Sequence, residues 1–281
     1  MSSAQPLVSV VVTTRNSERT LDSCLASIQS QTYQPIELIV VDHESTDTTL
    51  QIARAYCQVV DSFGPERSAQ RNRGAQLARG DYLLFIDSDM KLSLGVVSDC
   101  VATITASGAP GVVIPESSFG EGFLAKCRSL ERSCYAGDDT IEGARFFTRS
   151  AFQTAEGFDE TLTGPEDWDL SIRVAGAASL PRTTSQIWHN EGRLRIGPVM
   201  AKKRYYAASW SAYMRKHPRH ALGQANLIFR PAFRRHWRRL ARHPILTLGF
   251  LSLKGLETGA AIWGVIEVQL GSARVARSVR P

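Results

Sequence analysis

The sequence predicts an α/β protein: a mostly parallel sheet with helices on both faces, followed by C-terminal amphipathic helices. Three observations carry that expectation. Over the first hundred residues, short apolar runs rich in β-branched residues alternate with stretches of helical periodicity, the pattern of βαβ units. Two of those runs end abruptly in carboxylates, at Asp42 and at Asp87-Ser88-Asp89, where open α/β sheets bind their ligands. The charge is also uneven. Residues 1–190 hold 15 Lys/Arg against 24 Asp/Glu, whereas residues 191–281 hold 18 against 3. An acidic body is therefore joined to a strongly basic last third, which points to an anionic partner.

At 281 residues, 43% hydrophobic and 21% charged, the chain can bury a sizeable core as one large domain or one domain with an appendage, and its composition is not that of a disordered protein. Five scattered cysteines without a C-x-x-C pair predict free thiols in a reducing compartment. No charged start followed by an apolar core precedes the first strand, so no secretory signal is expected. No uncharged apolar run reaches the length of a spanning helix.

Taken in order, Leu7 to Thr14 reads as a buried strand. Asn16 or Ser17 can cap a helix running to about Gln31, with Leu21, Cys24, Leu25 and Ile28 on one face. Ile36 to Val41 is a second strand ending at Asp42. A helix from about Thr48 to Tyr56 and a short strand at Val59-Val60 follow. Arg67 to Arg79 reads as a helix stopped by Gly80. Tyr82 to Ile86 is the central strand. Helices at Ser93–Gly108 and Phe119–Ala136, and strands at Gly111–Pro115, Ala144–Thr148 and Thr183–Trp188, complete the body.

The chemistry concentrates at a few places. Two Asp flanking one small residue, Asp87 and Asp89, can hold a hard divalent cation between protein and phosphate oxygens. Taken alone, the same residues are also an ordinary acidic turn. Asp42 at a neighbouring strand end can accept hydrogen bonds from a ribose or base, or can simply cap the helix after it. Arg71 is a donor-side candidate or a solvated helix residue.

Four motifs in order and at the right spacing decide between these readings. Val8-Ser9-Val10-Val11-Val12-Thr13-Thr14-Arg15-Asn16 resembles the opening strand of the family 2 glycosyltransferases, which have the GT-A fold. Val41-Asp42-His43-Glu44-Ser45-Thr46-Asp47 resembles that family's V-D-D-G-S-T-D motif, departing from it at His43 and Glu44. Arg71-Asn72-Arg73-Gly74 with Ala78-Arg79-Gly80-Asp81-Tyr82 resembles its R-N-x-G…A-x-G-x-Y block, and Asp87-Ser88-Asp89 its D-x-D. The resemblance covers roughly residues 7–215 and is to members of the bacterial surface-polysaccharide or glycolipid type. It implies donor contacts at Thr13, Arg15, Asp42, Arg71, Asp87 and Ser88, with Asp87 on the ribose side and Asp89 on a Mg²⁺ or Mn²⁺ ion.

Gly157-Phe158-Asp159-Glu160 and Glu166-Asp167-Trp168-Asp169-Leu170-Ser171-Ile172-Arg173 resemble the acceptor-side signature of the same family. An inverting transfer needs a general base to take the proton of the attacking hydroxyl, and by position Asp167 is that base. Glu166, Trp168 and Asp169 are acceptor-side candidates. The plainer reading is an acidic helix N-terminus, favoured by the macrodipole, with Trp168 in the core. His189 resembles the histidine that completes the metal site in many relatives, although a lone His after a strand is usually structural. Arg193 and Lys202 are candidates for the diphosphate, where cations stabilise a departing nucleoside diphosphate, or else belong to an exposed basic loop and helix.

Phe229, Phe233, Trp237 and Leu240 recur at helical spacing, flanked by Arg230, Arg234, Arg235, Arg238, Arg239 and Arg242. A basic amphipathic helix of this kind lies in a membrane interface. The apolar residues from Ile245 to about Leu270 are broken by Lys254 and Glu257, which argue against a simple spanning helix and suggest two membrane-associated helices or a re-entrant hairpin. The plainer reading packs this segment on the domain. Nucleic-acid binding would account for the arginines but not for the apolar run, so no nucleic-acid partner is expected.

The sequence thus predicts a catalytic domain over 5–217, with a nucleotide-sugar half (5–115) and an acceptor half (116–217). A basic membrane-associated tail (218–281) would sit on the cytoplasmic face of the cell membrane, peripheral or monotopic. The expected activity is inverting, metal-dependent transfer to a lipid-linked saccharide, glycolipid or other glycan. Rival readings are a non-catalytic nucleotide-sugar-binding scaffold and a sugar nucleotidyltransferase; the latter would want a glycine-rich phosphate loop where Thr13-Thr14-Arg15-Asn16-Ser17 stands.

Overall fold

The computed structural model describes residues 5–57, 59–64, 66–225 and 230–278 and resolves the chain into two compact units. The first takes the chain up to Phe119, Ala136–Glu160 and Glu166–Asn190; the second takes Gly120–Tyr135, Thr161–Pro165 and the chain from Glu191. In chain order the first unit opens with β1 (Val8–Thr14), α1 (Leu21–Gln29), β2 (Ile36–Asp42), α2 (Thr49–Tyr56), β3 (Val59–Ser62), α3 (Arg67–Leu77), β4 (Tyr82–Asp87), β5 (Met90–Leu92), α4 (Val96–Ser107) and β6 (Gly111–Val113). Then β7 (Glu116–Glu121) leads into α5 (Gly122–Ser133). The first unit continues with β8 (Ala144–Thr148), α6 (Arg149–Thr154), α7 (Glu166–Ala175) and the start of β9 (Ile187–Arg193). The second unit closes the chain with α8 (Ile196–Lys216), α9 (Pro218–Ala225), α10 (Pro231–Arg235), α11 (Trp237–Arg242) and α12 (Pro244–Ser278).

The main sheet has the order β3-β2-β1-β4-β8-β6. Its β3, β2, β1 and β4 run parallel, and β8 is antiparallel to both β4 and β6. Strand periodicity of two sorts the core onto its faces. Val8, Val10, Val12, Leu84 and Ile86 pack with Leu21, Leu25 and Ile28 of α1 and Val96, Val97 and Cys100 of α4. Val11, Ile39, Val41, Leu83 and Phe85 pack on the other face with Ala75 of α3, Phe152 of α6 and Leu170 of α7. The consecutive apolar residues of β1 and β4 are what a strand covered on both faces requires. Gly74 lets α3 lie directly on β1: a Cβ there would fall 2.2 Å from Val11 Cγ1.

Several elements start later than the pattern suggests, for identifiable reasons. α1 begins at Leu21 because Asn16, Ser17 and Glu18 are spent on the loop after β2. Asn16, in the left-handed region at φ 48°, accepts from Thr46 N through Oδ1 (2.9 Å), and Ser17 N donates to Thr49 Oγ1 (2.7 Å). The expected helix from Phe119 starts at Gly122, whose φ of +81° marks the turn out of β7. The expected strand Thr183–Trp188 lies at Ile187–Arg193 instead, because Thr184 and Ser185 turn around Asp99, each backbone N–H donating to Asp99 Oδ2 at 2.8 Å.

The second unit revises the tail. Phe229 lies outside the described residues, and the single amphipathic helix expected up to Leu240 is two short helices broken at His236. Phe233 turns inward, its ring centroid 5.6 Å from Tyr135 and 5.1 Å from Phe250, while Trp237 is exposed. The apolar stripe therefore serves two faces. The two helices or hairpin expected after Ile245 are one continuous helix, α12. The five cysteines are unpaired.

Candidate active site

The register of the sheet gathers the predicted donor residues. Thr13 stands beside Asp87, and Thr14 beside Asp42, at the C-terminal ends of β1, β4 and β2. Asp42 is fully buried: Oδ1 accepts from Thr14 Oγ1 (2.7 Å) and Ser45 Oγ (2.6 Å), and Oδ2 accepts from Ser45 N (2.8 Å). This turn survives the replacement of the usual Asp-Gly by His43-Glu44, with Glu44 taking the positive φ (48°) that a glycine would adopt at no cost. Ser88 Oγ lies 2.8 Å from Ser17 Oγ, tying the loop after β1 to the loop after β4. Arg15 is exposed on the first of these loops.

Arg71 is the hub. It projects from α3 and is fully buried, with its guanidinium 5.0 Å from the Phe158 ring centroid. Nη2 donates to Asp87 Oδ1 (2.7 Å); Nη1 donates to Asp167 Oδ1 (2.6 Å) and to Glu166 Oε1 (3.4 Å). The sequence-predicted base and the first Asp of the D-x-D thus share one guanidinium, whose fixed fork suits two carboxylates at once. Arg67, one turn before Arg71, donates to Glu166 Oε1 from Nε (3.0 Å) and Nη2 (2.6 Å).

Sequence reasoning missed a third arginine. Arg145 in β8 is buried and donates through Nε to Glu116 Oε1 (2.5 Å). Its Nη1 lies 3.6 Å from Asp87 Oδ2 and its Nη2 3.9 Å from Asp167 Oδ2, and Nη1 is buried with no hydrogen-bond partner. The signal was a charge inside the otherwise apolar strand Ala144-Arg145-Phe146-Phe147, where a charge persists only if paired. Burial alone would raise the Asp87 carboxyl, but Arg71, Arg145 and Arg67 hold it well below the usual carboxylate range. Burial likewise works against the Arg145 charge, and Glu116, Asp87 and Asp167 sustain it. Gln70 was also missed: its Nε2 donates to Thr14 O (3.0 Å) and Val41 O (2.8 Å), clamping the ends of β1 and β2.

The second half of the D-x-D faces β9. Met90 pairs with His189, and His189 Nε2 lies 3.1 Å from Asp89 Oδ2. Asp89 Oδ1 has no hydrogen-bond partner. An imidazole beside a carboxylate with an uncompensated oxygen fits the donor set of a divalent cation. Among the described residues no group of three or more His, Cys, Asp or Glu side chains is placed to hold a metal, so this pair would depend on ligand oxygens for the rest of the shell.

The acceptor-side candidates divide. Asp167 is partly exposed, at 26% of its side chain. Glu166 is buried against Arg67 and Arg71. Asp169 is buried and accepts from Arg173 Nε (2.8 Å) and Nη2 (2.6 Å) one turn on. Trp168 is half-buried, and its Nε1 donates to Ile141 O (2.7 Å). Arg193 and Lys202 belong to the second unit and are exposed, with Lys202 Nζ 5.6 Å from the Tyr206 ring centroid.

The acidic side chains gather where parallel strands end, the place where open α/β sheets bind their ligands, and the first unit is an α/β protein of that class. The comparisons narrow it: the chain belongs to glycosyl transferase family 2, whose pattern matches residues 9–154. It is 30% identical over 186 residues to the PGL/p-HBAD biosynthesis glycosyltransferase of Mycobacterium bovis, covering 60% of this chain and 70% of that one. It is 37% identical over 90 residues to EpsH of Bacillus subtilis, covering 30% of this chain but only 26% of EpsH. Among solved structures it resembles the mannosyltransferase PcManGT from Pyrobaculum calidifontis in complex with GDP-Man and Mn²⁺. That match has a TM-score of 0.60 at 16% identity and covers 98% of this chain and 81% of that one. S. aureus TarS 1-349 in complex with UDP-GlcNAc matches with a TM-score of 0.52 at 18% identity, covering 94% and 92%. At such identities the structural matches speak for the fold, which is GT-A. The chain is a nucleotide-sugar-dependent glycosyltransferase.

Proposed function

We propose that this chain transfers a sugar, with inversion, from a nucleotide-sugar to an acceptor hydroxyl on a lipid-linked saccharide or glycolipid, in the assembly of a surface polysaccharide or glycolipid. The observation that carries the reading is the Arg71 bridge, which holds Asp87 and Asp167 at 2.7 and 2.6 Å from one side chain. A donor seated at the strand ends that carry Asp42 and Asp87 would bring its reacting carbon toward a carboxylate already fixed in place, and fixed placement removes much of the entropic barrier.

In this mechanism the acceptor oxygen attacks the anomeric carbon from the face opposite the diphosphate. The bond to the diphosphate oxygen breaks, its electron pair leaves with the nucleoside diphosphate, and the acceptor proton passes to Asp167. Arg71 occupies Oδ1 of Asp167, and Oδ2 lies beyond hydrogen-bond range of Arg145; Oδ2 is the oxygen that accepts the proton. Asp89 and His189 would hold Mg²⁺ or Mn²⁺, which when bound offsets charge on the diphosphate. Arg193 and Lys202 are assigned to the diphosphate as well. Thr13, Arg15, Arg71 and Ser88 are assigned with Asp42 and Asp87 to the donor, and Glu166, Trp168 and Asp169 to the shaping of the acceptor side.

The functional division is 5–115 for donor, 116–217 for acceptor and 218–281 for membrane association at the cytoplasmic face. Support for a surface-glycan role comes from the relatives, among them the mycobacterial PGL/p-HBAD biosynthesis enzyme and a poly(ribitol-phosphate) β-glucosyltransferase of Bacillus spizizenii. The test is turnover of a panel of UDP-, GDP- and dTDP-sugars, with the product anomer read by proton NMR. Inversion from an α-linked donor gives a β-linked product; retention would overturn the mechanism, and pyrophosphate release in place of nucleoside diphosphate would overturn the reaction class. Asp167→Asn should lower kcat by about 10² to 10⁴-fold, the worth of a general base, with donor affinity unchanged.

A further inference from the structure

Helix α12 is built inside out. Its buried residues include two charges, Lys254 and Glu257, beside Phe250 and Leu253. Its exposed large residues are apolar, among them Ile245, Leu248, Leu256, Ile262, Trp263 and Ile266. At 100° per residue these six fall within one arc of about 120°, together with Ser252, Gly255 and Gly259, and between Ile245 and Ile266 no charged residue shares that arc. From Ile245 to Ile266 the ridge is about 32 Å long at 1.5 Å per residue.

The inward charges explain how such a face is possible. Lys254 Nζ lies 2.5 Å from Glu131 Oε1 and 3.2 Å from Glu257 Oε2; Arg128 of α5 pairs with Glu131 at 2.7 Å and also with Glu257. Tyr135 OH donates to Glu131 Oε1 (2.8 Å). The two acids are thus met by Arg128 and Lys254, and Lys203 of α8 also acts on Glu257 within the unit. The helix also approaches its neighbours closely at two glycines: a Cβ on Gly249 would meet Cys127 Sγ at 2.5 Å, and one on Gly264 would meet Arg204 O at 2.5 Å. Lys254 and Glu257, which read in sequence as interruptions of an apolar segment, are the means by which α12 is docked.

We propose that this ridge lies flat in the interface of an anionic lipid bilayer, with the charged face of α12 against α5 and α8 and its apolar face among the acyl chains. The inference deepens the membrane reading given above and rests on it. Lipid is the occupant that the surroundings favour. The chain runs into α12 from α10 and α11, which expose Arg234, Arg235, Arg238 and Arg242 with Trp237, a basic and aromatic collar suited to anionic headgroups. A spanning arrangement would carry the paired charges of α5 and the Lys202, Lys203 and Arg204 cluster of α8 into hydrocarbon.

The experiment uses the whole chain and vesicles of phosphatidylcholine with and without phosphatidylglycerol, read by co-sedimentation. Wild type should bind the anionic vesicles at least tenfold better than the neutral ones. L248D/I262D/I266D, all at exposed positions, should lose at least tenfold in binding while circular dichroism, melting temperature and donor-binding shift stay as in wild type. Trp fluorescence lost on quenching by brominated acyl chains should fall in Trp263→Phe. A C-terminal tag should remain cleavable by protease added outside the vesicles. If wild type binds no vesicle, the membrane reading itself fails; if the triple aspartate variant binds as wild type does, the ridge is not the contact. A protected tag would keep membrane association and overturn the in-plane geometry.

Discussion

Replacing Arg71 by Met should damage the fold and the reaction together, and the size of the structural effect can be worked from its contacts. The side chain is 1% exposed and supplies hydrogen bonds to Asp87 and Asp167 and a longer one to Glu166. Glu166 would keep Arg67 at 2.6 Å, but Asp87 would be left with Arg145 at 3.6 Å. Removing one partner of a buried ion pair costs about 3–5 kcal/mol because the remaining charge is left in a low dielectric. For a unit of this size each kcal/mol shifts Tm by about 3 °C, so the fall should be roughly 10 °C or more. The assay is urea unfolding of wild type, Arg71→Met, Asp87→Asn and the double variant at neutral pH. If the damage comes from a stranded carboxylate, Asp87→Asn should recover part of the loss in the Arg71→Met background, a coupling of about 1–3 kcal/mol. A loss below about 1 kcal/mol for Arg71→Met, or strict additivity in the cycle, would refute the view that Arg71 neutralises these carboxylates.

Three further outcomes are expected. Arg145→Lys keeps a positive charge near Asp87 and Asp167 but loses the planar fork whose Nε bonds the Glu116 carboxylate; Tm should fall by several degrees, the worth of about 1.5–3 kcal/mol for one charge-assisted hydrogen bond, and kcat/KM for donor should fall with it. Asp89→Ala should abolish the Mn²⁺-dependent part of the thermal stabilisation seen with nucleoside diphosphate, while any metal-independent part persists. Glu131 predicts a pH dependence. Burial works against its charge, but Lys254 and Arg128 with the Tyr135 hydroxyl bring it from an ordinary 4.5 to about 2. A carboxyl lowered on folding stabilises above its unfolded value and loses that contribution as pH falls through its folded value. Unfolding free energy should therefore decline by about 3 kcal/mol between pH 4.5 and 2, and Glu131→Gln should flatten that part of the curve.

What the sequence conveyed well was whatever depends on local pattern. The apolar runs of β1, β2 and β4 sit where the pattern put them because strands covered on both faces are mostly apolar, and the polar pair within them, Ser9 and Glu37, is satisfied by a mutual hydrogen bond. The strand-end aspartates Asp42 and Asp87 come into neighbouring register by the same logic. Less legible was any residue whose role is fixed by a partner far along the chain. The motif marks Arg71 as a donor-side residue, but only the approach of Asp167, ninety-six residues later, makes it a bridge. Arg145 opens the stretch that leads into the acceptor-side signature, but nothing in that stretch gives it a role. Its meaning depends on β8 lying antiparallel to β4, which brings a strand charge to the end of the sheet where Asp87 stands.

The tail fails in the same way, with an instructive sign. In the sequence Lys254 and Glu257 interrupt an apolar segment and argue against a simple spanning helix, but nothing there says which way they face. In α12 they face α5, whose Arg128 and Glu131 match them in number and sign, so the helix is freed to expose a continuous apolar arc. Periodicity shows that a helix has two faces; it does not show which face is buried. Where the polar face can be neutralised within the protein, burial of charge and exposure of hydrocarbon become compatible, and exposed hydrocarbon on that scale marks an interaction surface. The same principle operates in the active site, where buried arginines hold carboxylates ionised at the edge of an apolar sheet. In both units paired charge is placed inside: in one it holds carboxylates at the edge of an apolar sheet, and in the other it leaves the outer face of a helix free to be apolar.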